Sequence, residues 1–126
     1  MNDTEILFQP TCLGSLELPG RIVRSATYEG LAEPNGTPLL ELGQLYGQLA
    51  TGGCAMITTG FTFVQAAGRA MHPAQTGIHE DRLIPPWQRV VEETRKYNPR
   101  TKLVMQLAHA GRQTLKSVTG HQVVGA

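Results

Sequence analysis

The heptapeptide Gln106-Leu107-Ala108-His109-Ala110-Gly111-Arg112 places an amide, an imidazole and a guanidinium directly behind an apolar run. Two earlier stretches have the same character: Ser25-Ala26-Thr27-Tyr28 offers three hydroxyls, and Thr59-Gly60 ends a second apolar run with a residue that lets a ligand approach backbone. Gln106 both donates and accepts through one amide, which suits the ureide edge of a flat heterocycle. The bland alternative is a glutamine at the end of a buried strand bonded to neighbouring backbone, and spacing alone favours that alternative. His109 invites a catalytic reading at first sight. His72 and His79 show no H-E-x-x-H or other ligand spacing, so turn-stabilising or solvated roles are expected and no metal.

The elements that must position these residues can be read from periodicity. Leu7-Phe8-Gln9-Pro10 leads into Leu13-Gly14-Ser15-Leu16-Glu17-Leu18, two apolar pieces about a Gly-Ser dipeptide, expected as a hairpin over about residues 6–19. After Pro19-Gly20, the run Arg21–Ala26 reads as a first core strand, followed by a loop over 30–38 with Asn35-Gly36 at its tip. Thr37 as cap and Pro38 at the first helical position open a helix with Leu42, Leu45, Tyr46, Leu49 and Ala50 at helical spacing, stopped by Gly52-Gly53. Cys54–Thr59 lacks alternation and so reads as a parallel strand buried on both faces. The stretch 60–77 is long for a strand-to-helix connection and therefore a functional-loop candidate. Asp81 caps a second helix carrying Ile84, Trp87, Val90, Val91 and Thr94 on one face; Pro85-Pro86 restrict its start and Tyr97-Asn98-Pro99 end it. Lys102–Leu107 is the third strand.

Hairpin, then β-α-β-α-β, implies an α/β protein with a parallel sheet and right-handed crossovers. Doubly wound sheets and eight-stranded barrels both collect ligands at the carboxyl ends of their strands, where the three polar stretches fall, and this chain supplies under half of either architecture. Residues 1–126 are expected to form one incomplete domain, with three strands and two helices over about 21–107.

Composition narrows the partners. With 11 Lys plus Arg against 10 Asp plus Glu, the net charge is +1, and no basic cluster marks a nucleic-acid or anionic membrane surface. No run of about 18 apolar residues spans a bilayer, and the acidic start Met1–Glu5 is unlike a secretory signal, so a cytoplasmic location is expected. Cys12 and Cys54 lie far apart without a C-x-x-C and read as two buried or half-buried thiols rather than a disulfide or a metal pair. The acceptor-like tripeptides Asn2-Asp3-Thr4 and Asn35-Gly36-Thr37 have no consequence without a secretory route.

The sequence resembles the old yellow enzyme family of NADH:flavin oxidoreductases and FMN-dependent ene-reductases. The resemblance rests on Leu7-Phe8-Gln9-Pro10, the hairpin, Gly20-Arg21-Ile22-Val23, Gly68-Arg69 and above all the string from Gln106 to Arg112, in the family's order over about residues 5–115. It implies the first part of a TIM (β/α)8 barrel with the hairpin closing its bottom and FMN lying across its top. Residue by residue, it implies that main chain around Ser25, Ala26 and Thr27 faces the N5 and O4 side of the flavin, that Gly60 donates backbone to the ring edge, and that Gln106 holds the pyrimidine part. Tyr28 is left with three readings: reaching the ring, lining the substrate pocket, or packing. NADH or NADPH would be the reductant and a small molecule such as an activated alkene the acceptor; no catalytic acid or base falls in this chain, since those groups come from later strands, and His109 and Arg112 are on that ground read as fixing the loop after the third strand.

A rival from another class is a catalytically inactive piece, an assembly module of a truncated or split barrel with open strand edges. On either reading the partners expected are the rest of a barrel or a second copy of the chain. A different TIM-barrel enzyme would leave the Gln106–Arg112 string unexplained.

Overall fold

The computed structural model describes residues 3–125. A short 3-10 turn, Glu5–Phe8, precedes the antiparallel hairpin β1 (Thr11–Leu13) and β2 (Leu16–Leu18), in which Leu13 faces Leu16 across the two-residue loop Gly14-Ser15. Gly14 takes φ +60°, the left-handed value that such a loop demands and that a side chain resists.

Three parallel strands follow: β3 (Ile22–Arg24), β4 (Cys54–Thr58) and, after two short strands described below, β6 (Lys102–Val104). Their order in the sheet is β3-β4-β6, so each crossover joins spatial neighbours. Helix α1 (Leu40–Thr51) makes the first crossover and α2 (Ile84–Tyr97) the second, and the two pack together on one face of the sheet. Leu42, Tyr46 and Ala50 of α1 and Trp87 and Val90 of α2 bury against Ile57 of β4 and Leu83, forming a single apolar core. Register sets the faces: Arg24, Ile57 and Leu103 stand level on the helix side, whereas Val23 and Met56, then Thr58 and Val104, stand level on the other. That second face carries no helix, and Val23 and Val104 are both exposed. Sheet plus helices on one side only is the geometry of a barrel arc.

The hairpin sits at the amino ends of the strands. The Arg21 N–H donates to the Leu7 carbonyl at 2.8 Å, and a Cβ added to Gly53, the residue before β4, would run into the Phe8 ring. The turn that leads into the hairpin thus packs at the amino ends of the strands, the end to which the resemblance assigns the hairpin.

Several boundaries differ from the sequence reading, each for a long-range reason. The first strand stops at Arg24, not Ala26. Helix α1 starts at Leu40 because Pro38 is bridged to Ala32, and the Glu33 N–H takes the Thr37 carbonyl at 2.9 Å; Thr37 caps nothing. Asp81 opens a 3-10 turn, Asp81–Leu83, ahead of α2, which has no side-chain cap; Ile84 is exposed, and Leu83 takes the core position. Strand β4 alternates, with Ala55 and Ile57 buried and Cys54, Met56 and Thr58 half-buried, because the face opposite the helices is only half covered. The third strand is broken: β6 ends at Val104, and β7 (Leu107–Ala108) leaves the sheet to pair in parallel with β5 (Thr62–Phe63). A last helical turn, α3 (Lys116–Thr119), follows.

No helix among the described residues is long and apolar enough to cross a membrane, and no three His, Cys, Asp or Glu residues there gather as metal ligands. Each cysteine is a free thiol; Cys54 is half-buried as expected, whereas Cys12 is exposed, because it lies on a two-stranded hairpin outside the core.

Candidate functional site at the carboxyl ends of the strands

Beyond Arg24 the chain leaves β3 through Ser25, Ala26, Thr27 and Tyr28. Ser25, Thr27 and Tyr28 are exposed and Ala26 half-buried, and the Thr27 hydroxyl turns back to donate to the Ser25 carbonyl at 3.1 Å. The exit of β4 lies against this stretch: a Cβ added to Gly60 would stand 2.7 Å from the Thr27 carbonyl oxygen. Glycine at 60 thus lets the first two strand exits touch, a closeness that even alanine would forbid.

The exit of the third strand is stitched to the second by main chain. The Thr59 N–H donates to the Val104 carbonyl at 2.8 Å, the Gln106 N–H to the Thr59 hydroxyl at 3.2 Å, and the Thr62 N–H to the Gln106 carbonyl at 2.8 Å. Gln106 is exposed, so its backbone is fixed while its side-chain amide stands at the open rim. The bonds to neighbouring backbone therefore run through the Gln106 main chain and not, as the bland reading had it, through the amide. Ser25–Tyr28, Gly60 and Gln106 accordingly lie on one rim, around the carboxyl end of β4.

Behind the rim is a residue that the sequence reading did not single out. Glu29 is 5% exposed, and its Oε1 receives hydrogen bonds from Arg24 Nη1 at 3.1 Å, from the Tyr46 hydroxyl at 2.7 Å and from the Gly60 N–H at 3.2 Å. One carboxylate therefore ties β3, α1 and the exit of β4. Burial, with the bond to Glu29 next in weight, pushes the Tyr46 phenol well above its ordinary value. The Gly60 N–H that a ring edge would need is held by Glu29, and the Gly60 carbonyl accepts from the Thr59 and Thr62 hydroxyls. What Gly60 gives the rim is close contact with Thr27.

The long connection after Gly60 is ordered by buried polar side chains. Gln75 accepts from the Ala70 N–H at 2.8 Å and donates to the Phe61 carbonyl at 3.2 Å, and the Thr62 and Thr76 hydroxyls bond to each other at 3.0 Å. Tyr28 packs on it, its ring 4.7 Å from His72 and 6.0 Å from Phe61, with 40% of its surface still exposed. His109 fixes a loop: Nε2 pairs with Gln65 Oε1 at 3.0 Å and Nδ1 accepts the Gly111 N–H at 3.0 Å. Arg112 is exposed and makes no such bond, so the loop-fixing role falls to His109 alone. Of all these anchors, only Tyr46 lay on a periodic stripe and only Thr59 at an expected strand end; Glu29 and Gln75 have no local signature.

A sheet arc with helices on one side, a hairpin under its amino ends and a polar rim at its carboxyl ends has the architecture of part of an α/β barrel. The model of the NADH:flavin oxidoreductase / NADH oxidase family matches residues 6–126, and the chain belongs to that family. A metal reductase of Desulforamulus reducens is 32% identical over 119 residues, covering 94% of this chain but 17% of the relative. Among solved structures, an old yellow enzyme homologue from Zymomonas mobilis superposes with TM-score 0.81 at 23% identity, over 93% of this chain and 32% of that one. Morphinone reductase in complex with tetrahydroNAD gives TM-score 0.80 at 28% identity, over 93% of this chain and 31% of that one. The chain thus corresponds to about a third or less of the length of the proteins it matches, and its fold is part of their barrel.

Proposed function

We propose that this chain is the ring-side platform of an FMN-dependent oxidoreductase that draws on NADH or NADPH and reduces a small molecule such as an activated alkene. The observation that carries the reading is the meeting of three strand exits on one rim, with the Thr27 carbonyl against Gly60 and the Gln106 main chain bonded to Thr59. The residues fit the group: Gln106 presents an exposed amide from fixed backbone, and Ser25, Ala26 and Thr27 present accessible main chain beside it. FMN, when bound, supplies the hydride chemistry. Gln106 would hold its pyrimidine part, and Ser25–Thr27 and Gly60 would form the floor beneath its ring, with Tyr28 alongside. An amide donor at that edge stabilises negative charge there, which is how this chain would influence the cofactor's potential. No residue of the chain is assigned a proton transfer.

The test is FMN titration of the purified protein, read by flavin absorbance after desalting and by the reduction potential of the bound flavin. Weak binding that saturates at one flavin per chain is expected, because these residues supply ring contacts and the phosphate grip of such barrels comes from later loops. Gln106→Ala should weaken binding by a factor of roughly 2–10, the equivalent of a lost hydrogen bond of ~0.5–1.5 kcal/mol, and move the potential. Unchanged affinity and potential in that variant overturn the reading.

One observation favours a second reading, that the chain is an assembly module completed by further strands. Val23 and Val104 are exposed on the helix-free face of the sheet, where a closed barrel would cover them. A colourless protein that binds flavin only after the remaining strands are supplied would establish it.

A further inference from the structure

Phe63 of β5 carries two side chains that the ring platform does not use: the Arg69 guanidinium lies over its face, 5.7 Å from the centroid, and His79 stacks on it at 4.7 Å. Together with Asn35, Arg82 and Thr119 they line a cavity of about 190 Å³, space for roughly six waters at ~30 Å³ each.

The polar atoms around this cavity are unevenly served. Arg69 donates through Nη1 to the Pro34 carbonyl and through Nη2 to the Pro73 carbonyl at 2.6 Å, yet it has no carboxylate partner, and its Nε is buried without an acceptor. His79 keeps 9% of its side chain exposed; Nε2 stands 3.2 Å from Glu80 Oε1, and Nδ1 is buried without a partner. Among the described residues only three buried side-chain nitrogen or oxygen atoms lack a partner, and two of them are on residues that line this cavity. Arg82 bonds Glu80 through Nε at 2.5 Å and the Asn35 carbonyl through Nη2 at 3.4 Å. Two guanidinium charges thus face one carboxylate, leaving a positive surplus before any charge on His79. A half-buried cation with only carbonyl dipoles as partners keeps part of its desolvation cost, and an anion is the group that satisfies both the surplus charge and the orphaned donor.

We propose that Arg69, Arg82, His79 and Asn35 form a binding site for a small tetrahedral oxyanion, a phosphate either free or carried as a monoester. Arg69 supplies its Nε–H from a guanidinium already oriented by two carbonyls and the Phe63 face. Arg82 adds charge at the outer edge. The site is separate from the Ser25–Gln106 rim, and its existence does not depend on the flavin reading.

Calorimetric titration of the full chain with inorganic phosphate, against chloride at equal ionic strength, tests the proposal. Saturable binding at one phosphate per chain is expected, with sulfate competing. Arg69→Lys keeps a positive charge but removes Nε and should weaken binding by about tenfold, or about 1.4 kcal/mol. Arg82→Gln alters a half-exposed side chain at the edge, so its fold is checked simply by Trp87 fluorescence, and it should weaken binding by several-fold. Ribose 5-phosphate binding as well as phosphate assigns the site to an esterified ligand, whereas its exclusion assigns it to free phosphate. Heats identical to chloride, or binding unchanged in both variants, overturn the proposal and leave water as the partner of the orphaned atoms.

Discussion

Removing the Glu29 carboxylate should be among the most damaging single changes in the chain, and the amount can be worked from its partners. Glu29→Ala strips Arg24, Tyr46 and Gly60 of a common acceptor at 3.1, 2.7 and 3.2 Å. Breaking a buried pair by deleting one partner costs ~3–5 kcal/mol, and Arg24, with 18% of its side chain exposed, recovers part of that through water. The expected loss is about 3 kcal/mol, a large share of the ~5–15 kcal/mol that holds an ordinary domain together. Urea unfolding followed by the fluorescence of Trp87, itself 6% exposed in the core, measures it. A double replacement, Arg24→Met with Glu29→Met, should be less harmful than Glu29→Ala, because apolar groups of similar volume substitute for a buried ion pair at little cost. It should still fall short of the parent by ~1–3 kcal/mol, since the buried Tyr46 hydroxyl is left without its acceptor, and adding Tyr46→Phe should return most of that remainder. A Glu29→Ala loss no larger than the ~0.5 kcal/mol of a surface change, or a double replacement as harmful as the sum of its parts, would refute the reasoning.

Two further outcomes follow from the same core. Alanine at Gly43 would bring a Cβ to 2.7 Å from Glu93 Cβ and 2.9 Å from the Val90 carbonyl, where backbone of α2 must give way, so Gly43→Ala should lose about 1–3 kcal/mol despite a better helix former. Gly47→Ala meets the Tyr97 ring, which is 46% exposed and free to swing aside, so its urea midpoint should move much less; equal shifts would contradict the packing described for α1 against α2. The Tyr46 phenol, held protonated by burial and Glu29, stabilises the fold fully below the ordinary phenol value near ~10; above it the unfolded chain releases its proton first and stability falls. Unfolding free energies at pH ~8 and ~11 should therefore drop further in the parent than in Tyr46→Phe, which lacks that titration.

The order of the main elements was legible because it follows from local pattern. Leu42, Tyr46 and Ala50 mark one face of α1, Trp87, Val90 and Thr94 one face of α2, and all of these are buried in the structure. What was not legible depends on bonds across many residues. The break in the third strand after Val104 occurs where the Gln106 N–H meets the hydroxyl of Thr59, 47 residues earlier in the chain. No propensity at Met105 or Gln106 announces that. The late start of α1 has the same origin, since Pro38 is bridged to Ala32 and so stays outside the helix that its fixed φ would otherwise suit.

The rim shows the same division more sharply. Ser25, Thr27, Gly60 and Gln106 could be picked out by place alone, because polar or small residues after an apolar parallel strand fall where such folds bind ligands. The residues that hold them there are buried polar groups behind the rim: Glu29 under the first two exits, Thr59 under the third, and Gln75 and Thr76 under the loop that follows. A buried hydroxyl, amide or carboxylate is tolerable only with its partners in place, so each of them fixes the separation of two strand ends to within a hydrogen bond. That makes the rim's shape a property of residues that would never touch a ligand. Substitutions at Glu29 or Thr59 should therefore disturb a ring's seat as surely as substitutions at Gln106, and through geometry, without removing a contact to the ring itself.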